Sequence, residues 1–230
     1  MSTDSRSFLD RGAGNANSQG GSLYDVILAD VPWYFKNYSA DDPHVIAQNG
    51  RGQQRHYVTM TESEICSLVI PSQKNAVLFF WTSWTILPQA LRVIDAWGFK
   101  YKTLGFEWWK LNKRWEKAYK PMMQTMESYK WLESLFFMGQ GYYARANSEP
   151  CLIAVKGNMP VAVHNEKNFI IAPVREHSRK PDEQYGKIER LYPGRSYLEL
   201  FARQRRPGWD AFGNQVTDSI HIGVREQETQ

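Results

Sequence analysis

Cysteine is almost missing from this chain, with Cys66 and Cys151 the two thiols in 230 residues. Far apart and without paired metal spacing, they exclude a disulfide framework and a thiolate metal centre, and they read as buried thiols of a reducing compartment. Long apolar runs are missing as well. No segment approaches the length that spans a bilayer, and Met1 to Gly21 lacks the hydrophobic stretch of a secretory signal, so the expectation is a soluble, cytoplasmic protein. A strong excess of one charge is absent too, since 28 lysines and arginines face 24 acids. That balance permits polyanion binding without requiring it.

What is present suits one α/β domain: enough aliphatic side chains, 9 tryptophans and 12 tyrosines to build a sizeable core. Residues 1–21, rich in Ser, Gly and Asn, bury too little to fold and read as a flexible arm. The folded domain is expected over 22–217, with 218–230 as a tail. Lys36 to Tyr57 is a long polar stretch without period, and loops of that length are usually lids.

The most informative segment runs from Tyr24 to Trp33, where an apolar stretch ends in Asp30, Val31, Pro32 and Trp33. Val26 to Ala29 reads as a buried strand stopped by a proline that cannot continue a central ladder. Asp30 is thereby delivered to the carboxyl end of a strand, where α/β sheets bind ligands. An acid there can accept a hydrogen bond from an exocyclic amine, a turn carbonyl can accept a second, and Trp33 can stack on a base.

Further along, Thr61-Glu-Ser-Glu64 is a capping-box pattern ahead of Ile65, Leu68 and Val69, with Pro71 as the stop. Ala76 to Trp81 reads as a strand, Ile86 to Trp97 as a helix ended by Gly98, and Cys151 to Val155 and Phe169 to Ile171 as strands. In Lys100 to Lys130, lysines and Arg114 alternate with aromatic rings; such a mixture can line a nucleic-acid groove or fill a core. Arg175 to Lys180 is a basic loop, and Pro181-Asp-Glu183 opens a helix with proline first and acids in the first turn. Tyr197 to Phe201 follows as a strand, then Gly208 to Gln215 as a glycine-bounded turn carrying amides.

Seven blocks occur together in one order: Ala29 to Trp33, Val77 to Trp81, Glu149 to Gly157, His177 to Glu183, Ile188 to Gly194, Leu198 to Arg203 and Gly208 to Gln215. In this order they resemble the MT-A70 family of adenine-N6 methyltransferases over roughly residues 23–216. The resemblance implies an α/β, Rossmann-like methyltransferase fold with permuted motif order, using S-adenosylmethionine. The family's Asp-Pro-Pro-Trp motif is matched by Asp30, Val31, Pro32 and Trp33 as catalytic residues, with valine for the first proline. That exchange restores a backbone donor and is expected to loosen the turn.

Carried over in the same way, Asp30, Lys180, Arg203, Asn214 and Gln215 are expected to hold the cofactor, Lys180 meeting its methionine carboxylate. Trp33, Tyr34, Lys36, His177 and Arg179 are expected against the substrate; no metal is. The implied activity is methyl transfer to N6 of adenine in DNA, as in compact bacterial or phage members. RNA methylation and an inactive nucleic-acid-binding subunit are the alternatives, and a homodimer or a related methyltransferase subunit is the expected protein partner. A metal-dependent nuclease would need clustered carboxylates, and only Asp41 and Asp42 beside His44 offer any.

Overall fold

The structure, a computed structural model, describes residues 23–34, 59–115, 117, 133, 135–139, 143–176 and 179–225. The predicted arm, the lid at 36–57 and the carboxylates Asp41 and Asp42 lie outside these residues, as do Lys36 and His177.

The core is a seven-stranded sheet in the order β6-β4-β5-β3-β1-β7-β8. The strands are β1 (Tyr24–Asp30), β3 (Ser72–Trp81), β4 (Lys100–Leu111), β5 (Ser148–Lys156), β6 (Phe169–Pro173), β7 (Tyr197–Leu200) and β8 (Trp209–Phe212). Every pairing is parallel except those of β5, which runs against both β3 and β4. Such a sheet is covered on both faces, which is why its central strands read as continuous apolar runs. In β1, Ile27 and Ala29 point into one core cluster, and Val26 and Leu28 into the other.

Among the described residues, the α-helices α1 (Glu62–Ser67), α2 (Leu87–Ala96) and α3 (Glu183–Leu191) flank the sheet. The predicted capping box forms, with the Thr61 hydroxyl accepting from the Glu64 amide and the Glu64 carboxylate accepting from the Thr61 amide. The α1 helix stops at Ser67, however, earlier than the apolar pattern through Val69 suggests. Leu68–Val69 instead form β2, paired antiparallel with β9 (Gly223–Val224). Residues 218–225, expected in a tail, therefore return to the body, and Ile222 is 1% exposed in the core.

Two other expectations change. Gly208 to Gln215 contains β8 rather than being a simple turn, because Trp209, Ala211 and Phe212 are apolar enough to extend the sheet beside β7. The mixed aromatic and basic stretch is resolved over 100–111 as β4, whose Phe106 and Trp108 face inward while Trp109 faces out. Cys66 and Cys151 are both free thiols. Among the described residues no helix is long and apolar enough to cross a membrane, and no three metal-ligating side chains are grouped.

Phe79 sits at the centre of the second cluster, fully buried, stacked 5.4 Å from Phe106 and edge-on to Tyr192. Truncation there combines lost burial with a cavity the sheet cannot close. Phe79→Ala is expected to cost about 3–5 kcal/mol in urea unfolding; an unchanged midpoint would contradict this packing.

Candidate active site

Strand β1 lies between β3 and β7, so the chain's crossovers depart to either side of it and leave a crevice at its carboxyl end. Asp30 is the last residue of β1 and faces that crevice. The next four residues are pinned by backbone hydrogen bonds: Trp33 N–H donates to the Val31 carbonyl at 2.9 Å, Met60 N–H to Pro32 at 2.8 Å, and Tyr34 N–H to Met60 at 3.0 Å. The turn is thus closed with valine at position 31, whose side chain is buried in the core. The two hydrogen bonds to Met60 tie the turn from its far side, opposing the loosening expected of valine.

Pro32 is buried with Val31. Trp33 also turns inward. Only 7% exposed, it packs edge-on to Phe80 at 6.3 Å. Tyr34, 45% exposed, is the ring that this turn presents to solvent.

Opposite Asp30 stands Lys180, from the loop that precedes α3. Its Nζ lies 2.7 Å from Asp30 Oδ1 and 3.4 Å from a Glu149 carboxylate oxygen, with its side chain 11% exposed. Glu149, on β5, also receives Lys110 from β4. Four alternating charges therefore run Lys110, Glu149, Lys180, Asp30 across three strands and a loop. Burial opposes charge on Lys180, yet Asp30 and Glu149 outweigh it and raise its pKa above the usual lysine value. Burial likewise opposes ionisation of Glu149, and the two lysines reverse that and lower its pKa.

Trp81 forms the floor beneath Lys180, its ring centroid 5.7 Å from the ammonium. Its indole N–H is held by the buried Gln184 at 2.6 Å. The loop is fixed from outside by Arg175, which donates to the Lys180 carbonyl at 2.7 Å and to Asp182 at 2.5 Å.

The crevice is a cleft of about 230 Å³ that gathers Asp30, Lys180, Arg179, Arg203, Gln215 and Glu199 among its lining residues. The structure thus brings together four of the five residues expected to hold a cofactor. The fifth, Asn214, is next to Gln215 and carries a buried Oδ1 with no hydrogen-bond partner. An orphaned buried acceptor beside a polar cleft is what a donor group of a ligand would satisfy, so the residues fit a nucleoside-like cofactor.

Glu149 and Glu199 carry no individual role in the sequence reading, although both lie within quoted blocks. The available signal was an acid at the start or middle of an apolar strand, where a charge without partners is costly. On β7, Glu199 accepts the Tyr185 hydroxyl at 3.0 Å. Its burial, only partly offset by that hydrogen bond, pushes its carboxyl up to about 7.

The chain is similar to known proteins over most of its length. The MT-A70 family model matches residues 24–215. The chain is 30% identical over 208 residues to the Arabidopsis thaliana "N(6)-adenosine-methyltransferase MT-A70-like", covering 88% of this chain and 25% of that protein. It is 31% identical over 205 residues to the human "N(6)-adenosine-methyltransferase catalytic subunit METTL3", covering 86% of this chain and 29% of that one. Against the "Type II methyltransferase M.MunI" of Mycoplasma sp it is 26% identical, with 85% of this chain and 79% of that protein covered. The chain therefore spans between a quarter and three tenths of the two N(6)-adenosine-methyltransferases.

Glu199 binds its proton more tightly folded than unfolded, so the stability it contributes is full below its ordinary value of 4.5 and is lost as the pH rises through about 7. Glu199→Gln removes that loss. Between pH 5 and 8 its unfolding free energy should fall less than the parent's, by about 1–3 kcal/mol; parallel pH curves would contradict a protonated buried carboxyl.

Proposed function

Because this chain belongs to the MT-A70 family, we propose that it transfers a methyl group from S-adenosylmethionine to N6 of adenine in DNA. The observation that carries the reading is the Asp30 carboxylate, aligned by a buried lysine at the carboxyl end of β1. When bound, S-adenosylmethionine supplies an electrophilic methyl group on a sulfonium. The rest falls to the chain's own side chains.

The N6 lone pair of adenine is delocalised into the ring, which makes the amine a poor nucleophile. Asp30 accepts one N6 hydrogen. The Val31 carbonyl, which uses one lone pair on Trp33, has a second free for the other hydrogen. Two acceptors on one amine draw the nitrogen out of conjugation and aim its lone pair. Asp30 need not be a strong base at the outset, since the nitrogen becomes acidic only as the new bond forms.

Lys180 fixes the orientation of Asp30 through their 2.7 Å contact, and the third N–H of its ammonium is available to the methionine carboxylate of the cofactor. Glu149 holds the lysine while Asp30 engages the amine. At the other end of the cleft, Arg203, Asn214 and Gln215 serve the adenosine part. Of Trp33 and Tyr34, the two rings the sequence offers for stacking an extruded adenine, Tyr34 supplies the exposed face. Arg179 lies on the same cleft and faces the substrate strand.

The DNA reading is supported by the match to the "Type II methyltransferase M.MunI", which runs through 79% of that protein, and RNA is the alternative that the two N(6)-adenosine-methyltransferases support. A labelled-methyl assay on single-stranded DNA, duplex DNA and RNA tests activity and substrate together, with the highest incorporation expected in DNA; incorporation confined to RNA would reverse the substrate assignment. Asp30→Asn should lower transfer about 10²–10⁴-fold, and an undiminished rate would remove Asp30 from the chemistry.

A further inference from the structure

Beside the cleft, three arginines converge on one carboxylate. Arg175 reaches Asp182 Oδ2 at 2.5 Å, Arg179 reaches the same oxygen at 3.3 Å, and Arg206 reaches Oδ1 at 3.6 Å. Arg175 is committed to the loop, because its other amino group holds the Lys180 carbonyl. Arg179 and Arg206 are not used up in this way. Each has a buried Nε–H without a hydrogen-bond partner. A buried donor left unpaired is unusual in a folded protein, and two such donors beside one cleft point to an acceptor that arrives with a ligand.

The charges agree. Three guanidinium groups meet two carboxylates, Asp182 and Glu176, and the Glu176 side chain, 3.3 Å from Arg179, is 71% exposed. An ion pair that open to solvent is weak, so Arg179 can exchange it for a better anion at small cost. Arg206 sits over the Tyr185 ring, its Cζ 3.7 Å from the centroid, a contact that holds its guanidinium in place before any ligand binds. Planar, preoriented guanidinium groups match the paired oxygens of a phosphate. Lys180 already supplies a cation at Asp30 itself, which leaves the arginine pair for a charge outside the reacting centre.

We infer that Arg179 and Arg206, spaced by Asp182, form a seat for one backbone phosphate of the nucleic-acid strand that carries the target adenine. The inference rests on the nucleic-acid reading given above. The seat fixes the strand's register relative to Asp30 without reading its sequence. The same anionic-oxygen chemistry is offered by the cofactor's carboxylate, and the test separates the two sources.

The probe is a short single-stranded DNA carrying one adenine, with affinity measured across a salt series for the parent, Arg179→Gln, Arg206→Gln and Arg206→Lys. Loss of one phosphate contact should reduce the slope of log affinity against log salt by about 0.7, while affinity for S-adenosylmethionine stays unchanged and Arg206→Lys recovers part of the slope. Replacing one linkage near the adenine by an uncharged methylphosphonate should weaken the parent and leave Arg206→Gln unaffected. An unchanged slope in both glutamine variants overturns the seat, as does a loss confined to S-adenosylmethionine affinity, which would assign the arginines to the cofactor. If Arg206→Gln does not fold, the salt slope of Arg179→Gln and a methylphosphonate comparison of the parent with Arg179→Gln decide, an equal weakening of both by the uncharged linkage overturning the seat. A parent that neither binds nor methylates DNA or RNA overturns the seat together with the reading beneath it, whereas an active parent with unaltered variant slopes overturns the seat alone.

Discussion

The contact between Lys180 and Asp30 is the constraint on which the site depends. The two residues are 150 positions apart and come from different parts of the fold, one at the end of β1 and the other in the loop leading to α3. A lysine with a side chain 11% exposed retains its charge only because Asp30 and Glu149 face it. Breaking a buried pair of this kind typically costs about 3–5 kcal/mol, since the remaining charge has nowhere to go. The pair is therefore a chemical arrangement and also a fastening between the sheet and the loop above it.

Around this contact each neighbour has a definite task. Trp81 and Gln184 build the floor, Arg175 holds the loop by its backbone, and Glu149 connects Lys180 to Lys110 on β4. These residues lie on elements that the sheet order brings together at the same edge, where β1, β3 and β4 end and the antiparallel β5 begins. An antiparallel strand inserted in an otherwise parallel sheet brings its own start, and so Glu149, to the edge where the other strands finish. That reversal is how a residue at the beginning of a strand meets one at the end of another.

Much of this was legible from the residues. Val26 to Ala29, Ala76 to Trp81 and Cys151 to Val155 are apolar and bounded, and all three are sheet strands, the first two buried on both faces and the third half-buried at Ile153 and Val155. The Thr61 to Glu64 capping box is a local signal set by nearby backbone groups, and it holds; the helix expected to open on Pro181 starts two residues later, at Glu183 with Asp182 as its N-cap, so the proline precedes it. What escaped depends on distant partners. Leu68 and Val69 continue a helical pattern, but pairing with Gly223 and Val224 turns them into a strand. Trp33 looks like a stacking ring until its neighbour in space, Phe80, draws it into the core. The partners of Lys180 could not be read at all, because a lysine near a helix start is ordinarily solvated and only tertiary placement against Asp30 and Glu149 buries it.

The most direct test is a double-mutant cycle on methyl transfer to adenine, using Asp30→Asn, Lys180→Met and the combined variant. If the two side chains act as one unit, each single change removes most of the rate and the combined variant is no slower than the slower single one. Penalties that multiply in the combined variant would show two independent groups and would contradict the account.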